Sequence, residues 1–370
     1  MMQILLTGAT GFVGGAVGAA LADRGLLRDT RFAVRADTLA QGLDRIRGSL
    51  ARFGISRDML MRISERQIVR FDLRTGPVDP LERSTELVIN CAALTTFSST
   101  PSLWETNVDG VLAFAARVLD EMPRLKRFIQ VGSAMSCGER AGQHIFENWH
   151  VPPEETHVVP YTFSKGMAEL ALRSQVPDLP LVVVRPSIVV GHTRFGCEPS
   201  GSIFWLFRII AQMEAFTCRL SDHIDVISAD DCAEAILLLA FKPKLAYNLY
   251  HLSAGVSRAE TVTTLYPLLR SCRSAAEAES ARKRYRYIEK IDPRMLANKV
   301  PGMVTGGGAR LALRAVRLYA KFAQMGYVFD NTRLRNETGF VPCSFGTYVH
   351  RCIETSQRES IVEQMRWDYR

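Results

Sequence analysis

The segment of residues 3–14 constrains the fold of this chain more than any other. A short apolar run, Ile4 to Leu6, leads directly into a glycine-rich turn, and apolar residues at helical spacing follow from Val17 onward. Strand, glycine turn and helix in this order are typical of the first unit of a parallel sheet whose turn binds the phosphates of a dinucleotide. The turn consists of Thr7, Gly8, Ala9, Thr10, Gly11, Phe12, Val13 and Gly14.

Each glycine of this turn has a separate role in the prediction. Gly8 permits a tight turn, Gly11 lets the backbone approach a pyrophosphate, and Gly14 lets the helix pack closely on the strand. The helix also offers unpaired N–H groups and the positive end of its dipole to phosphates. The alternative is an ordinary glycine-rich turn, but its place directly after an N-terminal strand favours a nucleotide site. The predicted cofactor contacts here are Thr7, Gly8, Thr10, Gly11, Phe12, Val13 and Gly14.

Composition limits the class of protein. The chain has 370 residues, of which 47% are hydrophobic, so it can bury a sizeable core. It has no apolar run long enough to span a membrane, and its first strand begins too early to leave room for a signal peptide. The eight cysteines include no Cys-x-x-Cys pair, which predicts reduced thiols, a cytoplasmic location and no metal site.

The net charge of +8 is concentrated in one segment. Residues 251–322 carry 14 Lys and Arg residues against 5 Asp and Glu residues, whereas the rest of the chain has a net charge of −1. Such a segment can bind an acidic carrier protein, a phosphorylated substrate tail or anionic lipid, or it can simply be a solvated surface. No nucleic-acid-binding motif accompanies it, so we expect no nucleic-acid partner, and the sequence carries no signal for an oligomeric state.

Apolar strand patterns alternate with helical patterns over most of the chain. This predicts an α/β fold, a doubly wound parallel sheet with a smaller, mostly helical C-terminal lid that binds the substrate. Residues 1–191 would form the dinucleotide-binding core, to which residues 224–252 return, and residues 192–223 and 253–370 would form the lid. The core strands predicted after the first are residues 31–35, 67–73, 86–93, 127–131, 181–185 and 247–252.

Residues at the strand ends predict which dinucleotide binds. An acidic residue at the end of the second strand would bind the ribose 2′-hydroxyl of NAD, whereas a basic residue suits the 2′-phosphate of NADP. Arg35 occupies that place and Arg45 on the next helix can assist, so we predict NADP(H); the alternative for Arg35 is a surface arginine. The other predicted contacts are Asp72 and Leu73 beside the adenine, and the small residues Ala92 and Ala93.

Three later residues form a coherent reduction site. Ser133 follows the fifth strand at the carboxyl edge of the sheet, and Tyr161 and Lys165 lie four residues apart on one helix face. Tyr161 would protonate a carbonyl oxygen as hydride reaches its carbon, Lys165 would lower the pKa of Tyr161 and bind the nicotinamide ribose, and Ser133 would orient the carbonyl. Asn107 is either an ordinary polar residue of a helix or the holder of a structural water near this site.

With these motifs the sequence resembles the extended short-chain dehydrogenases/reductases over about residues 3–252. The resemblance implies a Rossmann-type core, NADP-dependent oxidoreductase activity, and a segment after the sixth strand that lines the nicotinamide pocket, which adds Pro186 and Ser187 to the cofactor contacts. The residues that carry it are the glycine turn, Asp72-Leu73, Asn107, Ser133, Tyr161, Lys165 and Arg185-Pro186-Ser187.

Within that superfamily the chain is most similar to the thioester reductase and fatty acyl-CoA reductase branch, with its male-sterility-type NAD-binding domain. Hydride from NADPH would then reach an acyl thioester, and the resulting hemithioacetal would collapse to an aldehyde, which a second hydride could convert to an alcohol. One departure lies in residues 132–137, where the branch tends to have Ser-Thr-Ala-Tyr-Val: Ser133 replaces the threonine, and Met135 and Cys137 would reshape the substrate pocket. The similarity also rests on Val34-Arg35-Ala36, residues 92–97, Asn107-Val108-Asp109-Gly110, residues 225–231, Phe329-Asp330-Asn331-Thr332, Gly339-Phe340 and Phe345-x-x-Tyr348.

A basic helix predicted over residues 309–323 bears on the partner. It can dock an acidic acyl carrier protein or a membrane surface. It can equally be a lid helix with its apolar face on the core and its basic face in water. Its basic stripe is Arg310, Arg314, Arg317 and Lys321, and its apolar stripe is Leu311, Ala315, Leu318 and Phe322.

Other functions fit parts of the pattern. A ketone or secondary alcohol dehydrogenase of the extended type would use the same three catalytic residues and differ only in the pocket. A protein that senses NADP without turnover would typically lack the Tyr161 and Lys165 pair, which this chain keeps. A sugar-nucleotide epimerase or dehydratase would hold NAD tightly, which Arg35 argues against.

Overall fold

Apolar strands and amphipathic helices alternate along the chain and assemble into one large sheet with helices on both faces. The structure, a computed structural model, describes residues 2–96, 99–140, 144–300 and 309–365, with the backbone alone for residues 309–311. No helix in these segments is both long enough and apolar enough to cross a membrane. The strands, β1 to β16 in chain order, are Gln3–Thr7, Thr30–Val34, Ile68–Asp72, Gly76–Pro77, Thr85–Asn90, Arg127–Val131, His144–Ile145, Leu181–Pro186, Ile188–Val189, Ala215–Phe216, His223–Ile224, Val226–Ile227, Leu249–Leu252, Glu260–Thr261, Arg286–Tyr287 and Val328–Phe329.

The main sheet of the described segments has the strand order β13-β8-β6-β5-β1-β2-β3-β4. All neighbours are parallel except the short β4, which pairs antiparallel with β3. The chain runs outward from β1 to β3, then crosses to β5 and continues outward on the other side. The strand order therefore reverses between β1 and β5, and a crevice opens at their carboxyl ends. This confirms the predicted doubly wound parallel sheet.

Helices cover both faces because successive strand residues point to opposite sides. Ile4 and Leu6 pack with residues of the first, second and eighth helices, whereas Leu5 packs with the fifth and sixth. Both faces of the sheet are thus buried, as near-continuous apolar strands require. The helices, α1 to α15 in chain order, are Phe12–Asp23, Leu39–Arg52, Arg57–Met61, Pro101–Trp104, Val111–Glu121, Pro160–Gln175, Phe204–Met213, Ala229–Phe241, Val262–Leu269, Ala275–Arg284, Pro293–Lys299, Ala309–Gln324, Thr332–Thr338, Phe345–Ser356 and Ile361–Met365.

The helix predicted around Asn107 is interrupted by a wider turn. Residues Glu105–Gly110 form one π-helical turn between α4 and α5. Gly110 packs closely on the loop after β3: a Cβ on Gly110 would lie 2.2 Å from the Leu73 carbonyl oxygen. A π turn accommodates one extra residue and is common near functional sites. In this one Asn107 points inward and is only 1% exposed.

The C-terminal region is helical, as predicted, but it also contains short strand pairs. β10 pairs with β15, and β11 pairs with β14. The carboxylate of Asp225 joins separate parts of the region, since it accepts hydrogen bonds from the backbone amides of Ala254 and Phe329, both at 2.9 Å. α8 then packs against α1, so the segment after Asp225 lies on the main sheet.

α12 turns a different face to the core than its sequence pattern predicts. Val316 and Ala320 are buried, and neither belongs to the predicted apolar stripe. The small Ala320 allows close packing, and its carbonyl oxygen accepts a 3.0 Å hydrogen bond from the Thr217 hydroxyl. The predicted apolar residues Ala315, Leu318 and Phe322 are half-buried at the rim, and Arg314, Arg317 and Lys321 are exposed.

Some sequence predictions fall on positions outside the described part of the chain. They are Phe97, the side chains of Arg310 and Leu311, and the loop predicted at residues 301–302 and 306–308.

Leu6→Ala should destabilise the fold by about 2–5 kcal/mol, because it removes a fully buried side chain between β1 and the helices of one face. Urea unfolding followed by circular dichroism measures the loss. Leu268→Ala is the matched control: Leu268 is exposed, so we expect a loss below about 1 kcal/mol. Equal losses in the two variants would contradict this placement of the core.

Candidate active site

Backbone contacts in the glycine turn leave no room for side chains. Gly8 has a φ of +70°, and a Cβ on it would lie 2.7 Å from the backbone of both Cys91 and Ala92. A Cβ on Gly14 would lie 2.2 Å from the Gly8 carbonyl oxygen. Only glycine fits either position, and these contacts bring together the ends of β1 and β5 and the first turn of α1.

The N-terminus of α1 has the properties of a phosphate site. Its N-cap is Gly11, which has no side chain to bond the first amides of the helix and which itself donates to the Gly8 carbonyl oxygen at 2.9 Å. Those amides and the helix dipole favour an anion at this end of α1. The turn therefore fits the pyrophosphate of a dinucleotide, with half-buried Thr10, Phe12 and Val13 around it.

Thr7 supports the turn from inside. Its side chain is fully buried, and its hydroxyl donates to the Asn90 carboxamide oxygen and accepts from the Ala92 amide. Thr7 thus fixes the position of the loop after β5 and does not present its side chain at the surface of the crevice. Ala92 and Ala93 in that loop are half-buried and, being small, leave space beside the glycine turn.

Two arginines meet at the carboxyl end of β2. Arg35 is exposed just beyond the strand, and the Arg45 guanidinium donates to the Arg35 carbonyl oxygen at 2.6 Å. Burial and the neighbouring Arg35 charge lower the pKa of Arg45. One turn further along α2, the Ser49 hydroxyl donates to the Ala9 carbonyl oxygen, so this helix face is directed toward the glycine turn.

The two residues predicted beside the adenine differ in their environment. Asp72 is half-buried at the end of β3, where its carboxylate accepts a hydrogen bond from the Arg74 amide. Leu73 is only 5% exposed, because its side chain packs with Val111 and Phe114 in the core on one face of the sheet. The structure therefore leaves the backbone of Leu73, and not its side chain, for any contact with a ligand.

Ser133 begins a short turn at the carboxyl end of β6. Residues Ala134–Cys137 form one turn of 3-10 helix, and the Ser133 hydroxyl caps it by accepting from the Met135 amide at 3.3 Å. The half-buried hydroxyl keeps its own proton for donation. α6 packs on this turn at Gly166, where a Cβ would lie 3.2 Å from that of Ser136.

Tyr161 lies in the first turn of α6, directly after Pro160 at the N-terminal end of the helix. Burial raises the pKa of its phenol to about 12. At neutral pH Tyr161 is therefore protonated, which is the state that can donate a proton.

Lys165 lies one turn beyond Tyr161 and is almost completely buried. Its ammonium group donates to the carbonyl oxygen of Val131, the last residue of β6, at 2.6 Å. Burial lowers the pKa of Lys165 to about 8, and the nearby Glu169 and Cys91 oppose that fall. The lysine thus connects α6 to the strand end next to Ser133.

Asn107 binds the backbone of the loop after β5. Its carboxamide oxygen accepts from the Leu94 amide at 2.8 Å, and its nitrogen donates to the Leu94 carbonyl oxygen at 3.0 Å. The same nitrogen donates to the Ser164 hydroxyl at 3.2 Å. Asn107 thus links the loop after β5 to the helix turn that contains Tyr161 and Lys165.

Pro186 ends β8 and Ser187 follows it at the same edge of the sheet, and both are buried. The Ser187 amide donates to the Leu252 carbonyl oxygen at 2.9 Å, which fixes this segment against β13. Both residues therefore lie at the carboxyl end of the sheet.

α12 covers the site from the C-terminal region. Its Tyr319 ring packs edge to face on Trp205 with centroids 5.3 Å apart, and the Tyr161 phenol contributes to the raised pKa of Tyr319. Phe322, one turn later, packs against the apolar cluster that includes Ala134 and Cys137 of the Ser133 turn. The sequence analysis missed Tyr319, although a tyrosine among the apolar positions of an amphipathic helix is a usable signal.

Comparison with known proteins shows similarities to reductases. The family model described as male sterility protein matches residues 6–236. Aldehyde reductase lnaA of Aspergillus flavus is 23% identical over 269 residues, which cover 68% of this chain and 25% of that protein. The chain therefore spans a quarter of the length of this relative.

Solved structures share the fold. The terminal R domain from the myxalamid PKS-NRPS biosynthetic pathway has a TM-score of 0.71 at 19% identity, over 96% of this chain and 90% of that one. A thiolation-reductase di-domain from an archaeal non-ribosomal peptide synthetase has a TM-score of 0.68 at 16% identity, over 96% and 75%. A dTDP-glucose 4,6-dehydratase of Bacillus anthracis in complex with NAD has a TM-score of 0.60 at 15% identity, over 97% of both chains.

Asn107→Ala should release the loop after β5. The variant loses two hydrogen bonds to Leu94, so we expect a destabilisation of about 1–3 kcal/mol and faster hydrogen exchange of the Leu94 amide. Mass spectrometry of exchanged peptides measures both this loop and the rest of the sheet. Asn298→Ala, at an exposed position of α11, should leave the exchange of the loop unchanged. Unchanged exchange in Asn107→Ala as well would refute this role.

Proposed function

The chain belongs to the male sterility protein family, and on that premise we propose that it is an NADPH-dependent reductase that transfers hydride to an acyl thioester. The family and the fold make it an NAD(P)-binding oxidoreductase of the extended short-chain dehydrogenase/reductase type. One observation carries the proposal: Tyr161 and Lys165 lie on α6, which packs on the Ser133 turn at the carboxyl edge of the sheet.

The residues of the crevice fit the parts of NADPH. The glycine turn and the N-terminus of α1 would hold the pyrophosphate, and Pro186 and Ser187 would lie on the nicotinamide side. Arg35 and Arg45 support the choice of NADPH because two guanidinium groups beside the glycine turn suit a 2′-phosphate. Residues 1–191 with 224–252 would form this cofactor-binding part, and residues 192–223 and 253–370 the region that covers the substrate.

The proposed mechanism gives each catalytic side chain one task. Bound NADPH supplies the hydride. Ser133 orients the substrate carbonyl through its hydroxyl, and Tyr161 donates its proton to the carbonyl oxygen as negative charge develops there. Lys165, when protonated, stabilises the tyrosinate that remains. The hemithioacetal then expels the thiol and leaves an aldehyde.

The thioester as substrate is supported by the kind of proteins that share the fold. One is a reductase domain joined to a thiolation domain, and the sequence relative is an aldehyde reductase. The reaction needs an already activated acyl group, since none of the motifs found in the chain serves activation. A ketone reductase would use the same three residues, so substrate tests must include ketones.

The exposed side of α12 is the proposed docking surface for an acidic acyl carrier protein. Arg314, Arg317 and Lys321 are exposed, and the Arg317 guanidinium also donates to the Ile291 carbonyl oxygen at 3.3 Å. Tyr319 of the same helix is close enough to Tyr161 for the Tyr161 phenol to raise its pKa. A carrier bound to the basic side would therefore stand next to the reaction site. An anionic membrane surface would use the same charges, and a solvated lid would use none of them.

The wild-type enzyme should oxidise NADPH when acyl-CoA or acyl carrier protein is added. Tyr161→Phe should lower kcat by about 10²–10⁴-fold, because the proton donor is lost while the ring remains. Absorbance at the NADPH band and detection of the aldehyde measure turnover. Tyr247→Phe, an exposed tyrosine of the chain, is the control and should keep full activity. Turnover with ketones alone would replace the thioester by the ketone as substrate.

Arg35→Glu should weaken NADPH binding by at least about tenfold and NADH binding much less, because only NADPH carries the 2′-phosphate. Quenching of tryptophan fluorescence by each nucleotide gives the two dissociation constants. Arg57→Glu makes the same charge change at an exposed position of α3 and should affect neither. Equal weakening of the two nucleotides by Arg35→Glu would remove Arg35 from the 2′-phosphate site.

A further inference from the structure

Arg185 has no role in the mechanism so far, although it stands directly before Pro186 at the carboxyl edge. It is 2% exposed and forms an ion pair with Glu169, which is completely buried. The Arg185 Nε and Nη2 atoms lie 2.8 and 2.6 Å from the Glu169 Oε2 atom. Burying two charges costs free energy, and an apolar pair of similar volume would often serve stability as well. A buried ion pair at this place therefore calls for a functional explanation.

Glu169 touches the strand end that precedes the catalytic serine. Its Oε1 atom lies so close to Gly132 that a Cβ there would come within 1.9 Å of it. The Ser133 backbone N–H also stabilises the Glu169 carboxylate. The carboxylate thus packs on the two residues that set the direction of the Ser133 side chain.

Arg185 continues the connection on its other side. Its Nη1 atom donates to the carbonyl oxygen of Asn148 at 2.9 Å. Asn148 lies in the segment between β7 and α6, so Arg185 connects this segment to β8. The segment leads directly into the helix turn that carries Tyr161.

Glu169 is also the neighbouring carboxylate of Lys165, one turn further along α6. The groups whose charge acts on Lys165 are Glu169 from α6 and Cys91 directly after β5, with Arg185 on β8 beyond Glu169. Tyr161 precedes Lys165 by one turn on α6. Burial raises the pKa of Tyr161 and of the Cys91 thiol to about 12, so both are neutral at pH 7. The negative charge next to Lys165 therefore comes from Glu169.

The charge of Glu169 depends on Arg185. Burial raises the pKa of Glu169, while Arg185, Lys165 and the Ser133 amide oppose the rise. Since arginine stays protonated, a neutral Glu169 would leave the guanidinium buried without a counter-charge. The pair is therefore ionised, and its carboxylate favours the ammonium form of Lys165.

We propose that Glu169 and Arg185 are positioning residues of the reduction site: they hold the Ser133 turn in place and supply the negative charge that keeps Lys165 protonated. The inference rests on the proposed function, since it assigns these residues a task in the chemistry of Ser133, Tyr161 and Lys165. The reduction rate and the affinity for NADPH should both fall as pH rises through the pKa of Lys165, about 8. Without Glu169 this pKa is lower, so both should fall at a lower pH.

The test uses a double variant, because a single substitution leaves one buried charge without its partner. Glu169→Gln with Arg185→Met removes both charges and keeps the approximate volumes. The single variant Glu169→Asp keeps a carboxylate beside Arg185. The control is Lys242→Met with Glu337→Gln. It removes the ion pair between Lys242, directly after α8, and Glu337 of α13, whose carboxylate is also largely buried. Thermal unfolding of each variant separates changes in stability from changes in the site.

The readouts are the pH profile of kcat and the pH profile of the NADPH dissociation constant. We expect the double variant to shift both profiles to lower pH by about one unit or more, and Glu169→Asp to return them toward the wild type. The control pair should leave both profiles in place, whatever it does to stability. Profiles of the double variant that coincide with those of the wild type would overturn the inference.

The binding readout keeps this test separate from that of the proposed function. NADPH binding needs no acyl substrate, so its pH profile reports on Lys165 even if the wild type turns over ketones and no thioester. Failure of thioester turnover with a shifted binding profile would reject the substrate and keep the positioning role. Thioester turnover with an unshifted binding profile would keep the thioester substrate and reject the positioning role.

Discussion

The contact between Gly8 and the backbone of Cys91 and Ala92 is the constraint on which the site depends. It closes the gap between the ends of β1 and β5, the two strands between which the order of the sheet reverses. Because Gly14 rests on the Gly8 carbonyl oxygen, the start of α1 is fixed relative to the same strand ends. The N-terminus of α1 and the loop beside Lys165 are thus placed by one set of backbone contacts, which no side chain can replace.

Features with a short-range signature could be predicted from the sequence. The parallel strands of the main sheet follow from local apolar patterns, and Tyr161 and Lys165 share a helix face because they lie four residues apart. The Rossmann-type sheet then places Ser133 at its carboxyl edge. All these features depend on residues that are close in the chain or on one rule of sheet topology.

Features that depend on packing between distant segments could not be predicted in this way. Leu73 directly follows β3, a position typical of ligand-binding residues. Its side chain nevertheless lies in the core, in a buried cluster with residues of α5. The partner of Asn107 is backbone in another loop, which a π turn alone makes reachable. The buried residues of α12 are Val316 and Ala320 and not the predicted stripe, and the Ala320 carbonyl oxygen accepts a hydrogen bond from Thr217 in a distant segment. In each case tertiary packing decides between positions that the local pattern treats as equivalent.

Burial favours the neutral forms of both Tyr161 and Lys165, but the proposed reduction needs a neutral tyrosine and a charged lysine. It raises the pKa of Tyr161, so the phenol keeps the proton that a reduction consumes. Burial also lowers the pKa of Lys165, so less of the lysine carries the ammonium charge that would stabilise the tyrosinate. Opening the site to water would protect Lys165 but would weaken every electrostatic interaction in it. A carboxylate one turn away resolves the conflict locally, and its own burial then requires a permanent counter-charge, which Arg185 provides from the adjacent strand end.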